Sequence, residues 1–391
     1  MAGHNDSQQK KESGAGQPAG RAAELSESAA MSTVQDHSRY TAAAYSIDQE
    51  RLVGLEFIRA TEAAALNAYK WMGKGDKESA DFAACDAIRG LFDTVAISGT
   101  VTIGEGAKDQ APGIFKGEKL GTWCPGSIKM AIAVDPIDGT TIVSKGLPGA
   151  ISVIAAATCE NPEDDPNKLL ADIPSFYMNK ISFGPKVKHG PGRIRLDNTV
   201  QDNLEIIALK LGKRVQDLTV VVLDRPRHER LIHDIRRAGA AIRLISDGDI
   251  AGAIAPSLPG SGVDVYMGAG GSPEAVLAAA GIKCLGGEIL AQMWPRDDAE
   301  RKALKDSGLS DADLSRVYTA DDLAKGNRIL FAATGISDST LLKGIRYEDT
   351  HVITYSILMR AKNQTVRYIK TVHNLDMKMI RLRSDRQEHA L

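Results

Sequence analysis

Two carboxylates three residues apart, Asp135 and Asp138, close an apolar run at residues 130–134. Ionised side chains at the end of a core strand are costly unless a cation neutralises them. Oxygen ligands with no neighbouring His or Cys suit a hard divalent ion, Mg²⁺ or Mn²⁺, better than Zn²⁺. Gly139 lets a ligand approach the backbone, and Thr140 offers a hydroxyl and an N–H at an expected helix start, where a phosphate is welcome. The same residues also make a good Asp-Pro turn with Asp138 as an Asx cap, and taken alone they leave both readings open.

Three further acids stand in similar settings. Glu105 lies between Gly104 and Gly106 after a strand-like run, Asp81 lies at the start of an expected helix, and Glu274 lies in the first turn of a helix opened by Ser272 and Pro273 after Gly270 and Gly271. Singly they read as a hairpin acid, a helix N-terminal acid and a capped helix. Their repetition beside small residues, at strand ends and helix starts, is what a two-metal phosphate site requires. Opposite in sign, Asp224-Arg225-Pro226-Arg227-His228 follows a strand and opens a helix, so it could clamp a second phosphate with guanidinium forks; a solvated basic turn is the alternative. The run from Gly268 to Pro273 fails the dinucleotide fingerprint because proline replaces its last glycine, and no G-x-S-x-G elbow is present.

The elements that must position these residues follow from periodicity. Leu52, Leu55, Ile58, Leu66 and Tyr69 predict an amphipathic helix ending near Gly73, and Phe82, Cys85, Ile88 and Phe92 predict a second over 80–95. Strands are expected at 101–103, 130–134 and 150–157, which makes the first half α+β in style. From about residue 197 the order becomes β-α-β, with strands at 219–223, 242–246 and 263–267 and a helix at 228–239, predicting a largely parallel sheet. The fold class is therefore α/β, divided into a disordered extension at 1–45, a metal-binding α+β domain at 46–195, and an α/β domain at 196–391 that adds phosphate binding and Glu274. The acidic stretch 160–172, with Pro162 and Pro166, reads as a surface loop. The extension holds only Leu25 and Val34 as branched aliphatics and has no apolar targeting core; Met31 inside it offers a second translation start.

Composition excludes several classes. With 48 basic and 50 acidic residues in 391 the net charge is −2, which removes the cationic field that general nucleic-acid binding needs. No apolar run is long enough to span a membrane. Cys85, Cys124, Cys159 and Cys284 form no C-x-x-C pair and read as reduced thiols, so a cytoplasmic protein is expected.

Gly104-Glu105-Gly106 with Asp109 and Ala111-Pro112, Asp135-Pro136-Ile137-Asp138-Gly139-Thr140, Phe176-Tyr177-Met178, Asp224 to His228, Asp247-Gly248-Asp249 and Gly270 to Glu274 resemble, in family order over residues 47–375, the class II fructose-1,6-bisphosphatases. The resemblance implies the layered αβαβα sugar-phosphatase fold of the lithium-sensitive superfamily, with two packed domains. It implies Mg²⁺- or Mn²⁺-dependent removal of the 1-phosphate of fructose 1,6-bisphosphate, often also of sedoheptulose 1,7-bisphosphate, in gluconeogenesis or the Calvin cycle. It implies Asp81 and Glu105 as ligands of one metal, Asp135, Asp138 and Glu274 around a second, and Glu105, Asp109 and Thr140 at the reacting centre. Substrate contacts carry over to Asp138, Gly139, Thr140, Tyr177, Arg225, Pro226, Arg227, Asp247, Gly248, Asp249 and Gly271. A homo-oligomer, dimer or tetramer, is implied as well. Two positions depart from the pattern: Ala107 stands where many members have a second Glu, and Asp138 is shorter than their Glu. Another sugar or inositol phosphatase of the superfamily, or a phosphosugar-binding regulator without catalysis, are the rival readings; a monophosphatase would not need Arg225 and Arg227.

Overall fold

The computed structural model describes residues 50–104, 113–161, 163–374, 376–380 and 382–384. Glu105, Asp109, Ala107, Ala111, Pro112, Pro162, Met31 and the expected extension at 1–45 lie outside the described residues. The chain begins with α1 (Glu50–Tyr69), alanine-rich and buried along most of its length, and α2 (Lys77–Phe92). It continues through β1 (Ile97–Ile103), β2 (Lys119–Leu120), β3 (Ile128–Asp138), the short α3 (Thr140–Lys145) and β4 (Ile151–Thr158). Then come β5 (Tyr177–Phe183), α4 (Pro185–His189), α5 (Val200–Leu211), β6 (Thr219–Leu223), α6 (Glu229–Ala238) and β7 (Ala241–Ile245). The next stretch holds α7 (Asp249–Ile254), β8 (Val265–Gly271), α8 (Ser272–Cys284), β9 (Glu288–Met293), α9 (Asp298–Asp306), α10 (Asp311–Ser315), β10 (Val317–Tyr318) and α11 (Ala320–Leu323). Four strands end the fold: β11 (Ile329–Gly335), β12 (Arg346–Glu348), β13 (His351–Arg360) and β14 (Thr365–Asn374).

These strands make two sheets. The first runs β12-β13-β11-β4-β3-β1-β2, with β14 also on β13, and the second runs β10-β9-β5-β8-β6-β7. Among the described residues three large cores define five layers, and a small fourth cluster forms around Met293, Leu304 and Leu314. Phe57, Ile88 and Phe92 of α1 and α2 pack on one face of the first sheet with Met130 and Ile132. Ala131, Ala133 and Phe331 of its other face meet α7 and α8 and, beyond them, Met178, Val221 and Tyr266 of the second sheet. Leu204, Ile207 and Ile235 of α5 and α6 cover the far face of that sheet. The order αβαβα expected from the resemblance is the order observed. Helix α8 is buried nearly all round because it lies between two sheets, which is why its sequence shows no polar stripe.

Several expectations change. The second sheet is mixed: only β6–β7 and β6–β8 pair in parallel, while β5 lies antiparallel between β8 and β9. The β8-α8-β9 crossover does bring β9 back in the direction of β8, but β5 takes the place between them. The boundary at 195/196 cuts across the sheets, since β5 belongs to the second and β11 to β14 return to the first, where β11, buried along its whole length, fills the slot between β4 and β13. Helix α2 starts at Lys77, capped by Asp76, whose side chain accepts from the Ser79 N–H at 2.9 Å. Asp81 is therefore inside the helix, one turn beyond its start, and the macrodipole does not explain it. The described part of the 160–172 stretch is not only a surface loop: Pro166–Lys168 form a 3-10 turn, Leu170 is fully buried and bridges Ala324, and Asp172 pairs with Lys116, both of which line a cavity with Asp138.

Candidate active site

On a regular strand Asp135 and Asp138, three residues apart, would face opposite sides. The β3–β4 register shifts between them: Asp135 opposes Val153 and Asp138 opposes Ile151, so three steps on β3 match two on β4. Pro136, unable to donate to the ladder, sits in this bulge, and the extra residue brings both carboxylates back into phase. Both are buried. Asp138 Oδ2 accepts from the Ile250 N–H at 3.2 Å, where α7 begins. Gly139 follows with φ of 105°, a conformation costly for other residues, and turns the chain so that Thr140 opens α3. Lys77 Nζ donates to Thr141 Oγ1 at 2.8 Å and ties α2 to this turn.

Opposite stands the end of β8. Gly270 and Gly271 are glycines because carboxylates lean onto them: a Cβ on Gly270 would collide with Asp249 Oδ2, and one on Gly271 with Glu274 Oε2. Asp249, at the start of α7, is paired with Lys180 of β5, whose Nζ lies 2.5 Å from Oδ2 and 3.0 Å from the Gly271 carbonyl. Lys180 is completely buried. Asp138 and Glu274 form no such ion pair among the described residues. Burial, then the charges of Asp249, Glu274 and Asp247, hold the Asp138 carboxyl well above the usual carboxylate range; burial likewise raises Glu274, against the pull of Lys180. Glu274 Oε2 and Asp81 Oδ1 are buried and accept no hydrogen bond from the described residues.

The cationic side comes from the turn after β6. His228 locks it: Nδ1–H donates to the Leu223 carbonyl at 2.7 Å and Nε2 accepts from the Ala269 N–H at 2.8 Å, which fixes a neutral tautomer joining β6 to β8. Burial holds its pKa below the ordinary value. Arg227 Nε donates to the Ala269 carbonyl at 3.0 Å and its guanidinium lies 4.6 Å from the Tyr177 ring centre. Arg225 reaches toward Asp247, 3.7 Å away. Asp138, Tyr177, Arg225, Arg227, Asp247, Asp249, Gly271 and Glu274 all line one cavity of about 650 Å³.

A family model described as bacterial fructose-1,6-bisphosphatase, glpX-encoded, matches residues 51–373. The chain belongs to this family. A fructose-1,6-bisphosphatase class 2 from Haemophilus influenzae is 40% identical over 336 residues, covering 83% of this chain and 97% of its own. A D-fructose 1,6-bisphosphatase class 2/sedoheptulose 1,7-bisphosphatase from Synechococcus sp. (strain JA-3-3Ab) is 37% identical over 346 residues, with 83% and 96% covered. A protein of the same description from Synechococcus sp. (strain JA-2-3B'a(2-13)) is 36% identical over 346 residues, with 83% and 96% covered.

Gly139, Thr140, Pro226 and Gly248 stand next to residues of the cavity wall, while Asp81 and Asp135 lie outside the set that lines it. Among the described residues no three acidic, His or Cys side chains close on one point as a metal cage. The donor chemistry nevertheless fits a hard divalent ion: the acids are oxygen donors, burial raises Asp81, Asp138 and Glu274, and the buried Asp81 Oδ1 and Glu274 Oε2 accept no hydrogen bond from the described residues. Sequence reasoning missed Lys180, Lys77 and the wall formed by Arg296 and Glu300. Arg296 lies 4.6 Å over the Phe176 ring, with Nε 2.9 Å from Glu300 Oε2. The only sequence hint is a lysine set between Met178 and Ile181.

Proposed function

We propose that this enzyme hydrolyses the 1-phosphate of fructose 1,6-bisphosphate, and also that of sedoheptulose 1,7-bisphosphate, with Mg²⁺ or Mn²⁺, transferring the phosphoryl group to water without a covalent intermediate. The observation that carries the reading is one cavity lined both by acids, Asp138 and Glu274 among them, and by the Arg225–Arg227 pair. Asp81, Asp135, Asp138 and Glu274, with Glu105, would hold the ions, which when bound supply Lewis acidity at the transferring phosphoryl group. Thr140 offers its hydroxyl and N–H to the reacting phosphate. Arg225 and Arg227 bind the far phosphate and orient the sugar, and the Tyr177 ring limits how Arg227 can swing. We place the enzyme in the cytoplasm as a homo-oligomer; no helix among the described residues is long and apolar enough to cross a membrane.

The test is phosphate release from fructose 1,6-bisphosphate, sedoheptulose 1,7-bisphosphate and inositol 1-phosphate, each with Mg²⁺, Mn²⁺ and EDTA. Metal-dependent release from a ketose bisphosphate is expected. Cleavage of inositol phosphate alone would transfer the protein to the monophosphatases of the superfamily, and binding of the bisphosphate without release would make it a regulator.

A further inference from the structure

After β14 the chain returns to the helix that carries Asp81. Ser384 donates to both oxygens of Asp86, from its N–H at 3.0 Å and from its hydroxyl at 2.6 Å. Arg383 forks onto Asp93, with distances of 2.6 and 3.2 Å, and reaches Glu118 at 3.2 Å. Glu118, itself buried, also accepts from Arg89 Nε at 2.7 Å and NH2 at 2.9 Å, while Arg89 donates to the Gly113 carbonyl at 2.8 Å. One carboxylate thus joins α2, residues 113–118 and the C-terminal segment.

Asp86 and Asp93 are seven residues apart and share one side of α2. Asp81 lies five residues before Asp86, about 140° round the helix at 3.6 residues per turn. The C-terminal residues therefore grip α2 on the side away from Asp81, while Lys77 ties its first turn to α3.

The segment is also anchored upstream. Lys378 Nζ lies 2.6 Å from His373 Nδ1, His373 Nε2 lies 2.8 Å from Thr354 Oγ1, and Thr354 donates to Glu62 Oε1 at 3.0 Å. Because Thr354 donates to the carboxylate it accepts from Nε2–H, which leaves Nδ1 to accept from the lysine. The chain of bonds runs from an ammonium to a carboxylate through β14, β13 and α1. Apolar contact adds little, since Met377 and Met379 are 81% and 86% exposed and a cavity of about 410 Å³ lies under the segment, walled by Leu91, Ile380 and Lys378.

We propose that residues 376–380 and 382–384 form a strap that positions α2, so that Arg383 and Ser384 act as positioning residues for metal binding through Asp81. This rests on the reading of Asp81 as a metal ligand. The experiment titrates Mn²⁺ alone into metal-free full-length protein, followed by electron paramagnetic resonance, for wild type, Arg383→Ala, Arg383→Lys and Ser384→Ala, with amide exchange over residues 84–92. Partners that orient a ligand from behind change metal affinity by about tenfold or more, and Arg383→Ala is expected to weaken Mn²⁺ by about that factor. Ser384→Ala weakens it less, Arg383→Lys falls between, and exchange in α2 quickens. KM for the bisphosphate at saturating metal stays unchanged. Mn²⁺ affinity equal to wild type in all three variants, with only the melting temperature lowered, would reduce the strap to a structural clip. Asp81→Asn separates the two ideas: if it leaves Mn²⁺ binding intact, the assignment of Asp81 fails whatever the strap variants do.

Discussion

Replacing Lys180 by methionine keeps the volume of the side chain and removes the one cation that, among the described residues, is buried among these acids. Lys180 is 0% exposed and Asp249 8%, so water does not compensate the loss. Removing one partner of a buried ion pair costs about 3–5 kcal/mol, since the other charge is left in a poor medium. Unfolding entropy of about 2.1 cal/mol/K per residue, over roughly 320 described residues, gives about 0.7 kcal/mol/K, so the melting temperature should fall by about 4–7 °C. The assay is thermal unfolding in EDTA, which keeps a bound ion from masking the change. Lys180→Met combined with Asp249→Asn removes both charges and should recover most of the loss while activity stays low. A double variant no more stable than the single, or a single variant that melts with wild type, would refute the argument that Lys180 compensates Asp249.

Gly271→Ala places a methyl against the Glu274 carboxylate and should lower kcat about a hundredfold with the fold intact by circular dichroism, since a shift near 1 Å at a reacting group costs that much; an active alanine variant would show that Glu274 need not hold this position. Arg227→Ala should raise KM for the bisphosphates about 10- to 100-fold, from the roughly 1.5–3 kcal/mol of a charged hydrogen bond, and change kcat less; steady-state kinetics in which kcat alone falls would argue against distal-phosphate binding. Burial first holds the folded Asp138 and Glu274 carboxyls above the ordinary values of 3.8 and 4.5, so each contributes stability below those values that is lost as pH rises through the raised ones. Metal-free protein should lose melting temperature upward from about pH 4, and the gain from added Mg²⁺ should grow over the same range; a gain independent of pH would mean that the ion binds elsewhere.

The acids that were legible are those whose local sequence carries the constraint. Asp135 and Asp138 announce a strand end, Arg225 and Arg227 a turn after a strand, and Gly270 and Gly271 a backbone that something must approach. The bulge that puts the two aspartates in phase is hinted at by Pro136 alone. Lys180 could not be assigned from spacing, because its partner is 69 residues away and meets it only when β5 pairs with β8, Lys180 opposite Gly268, and α7 packs behind. The run 177–183 mixes apolar and polar side chains without regular alternation, so neither the strand nor its buried face is legible there. The parallel sheet was overread for a related reason: β-α-β periodicity gives the direction of β8 and β9 correctly but is silent about a third strand entering between them. Asp81 was misplaced by one helical turn because Phe82 and Cys85 mark the apolar face, whereas Asp76 sets the start.

The pairing pattern within the acidic wall says where a cation is missing. Asp249 has Lys180 at 2.5 Å and Asp247 has Arg225 at 3.7 Å, while Asp138 and Glu274 form no ion pair among the described residues. These two are also among the acids that burial and neighbouring charge push up. If the wall were built only to hold a folded shape, the economical solution would be a second lysine or an amide at one of these positions, since an apolar or neutral substitute for a buried charge is often no worse. Instead the chain keeps glycines at 270 and 271 so that the carboxylates can lie against the strand, and starts α7 and α8 beside them, where N-terminal peptide dipoles soften the cost. On the proposed reading, a site with that deficit gains most from a divalent ion arriving with a phosphate dianion, because the two charges nearly cancel each other and Arg225 and Arg227 are left for the second phosphate. Fixed pairing of two acids and open demand at two others is what separates the scaffold of this wall from its working part.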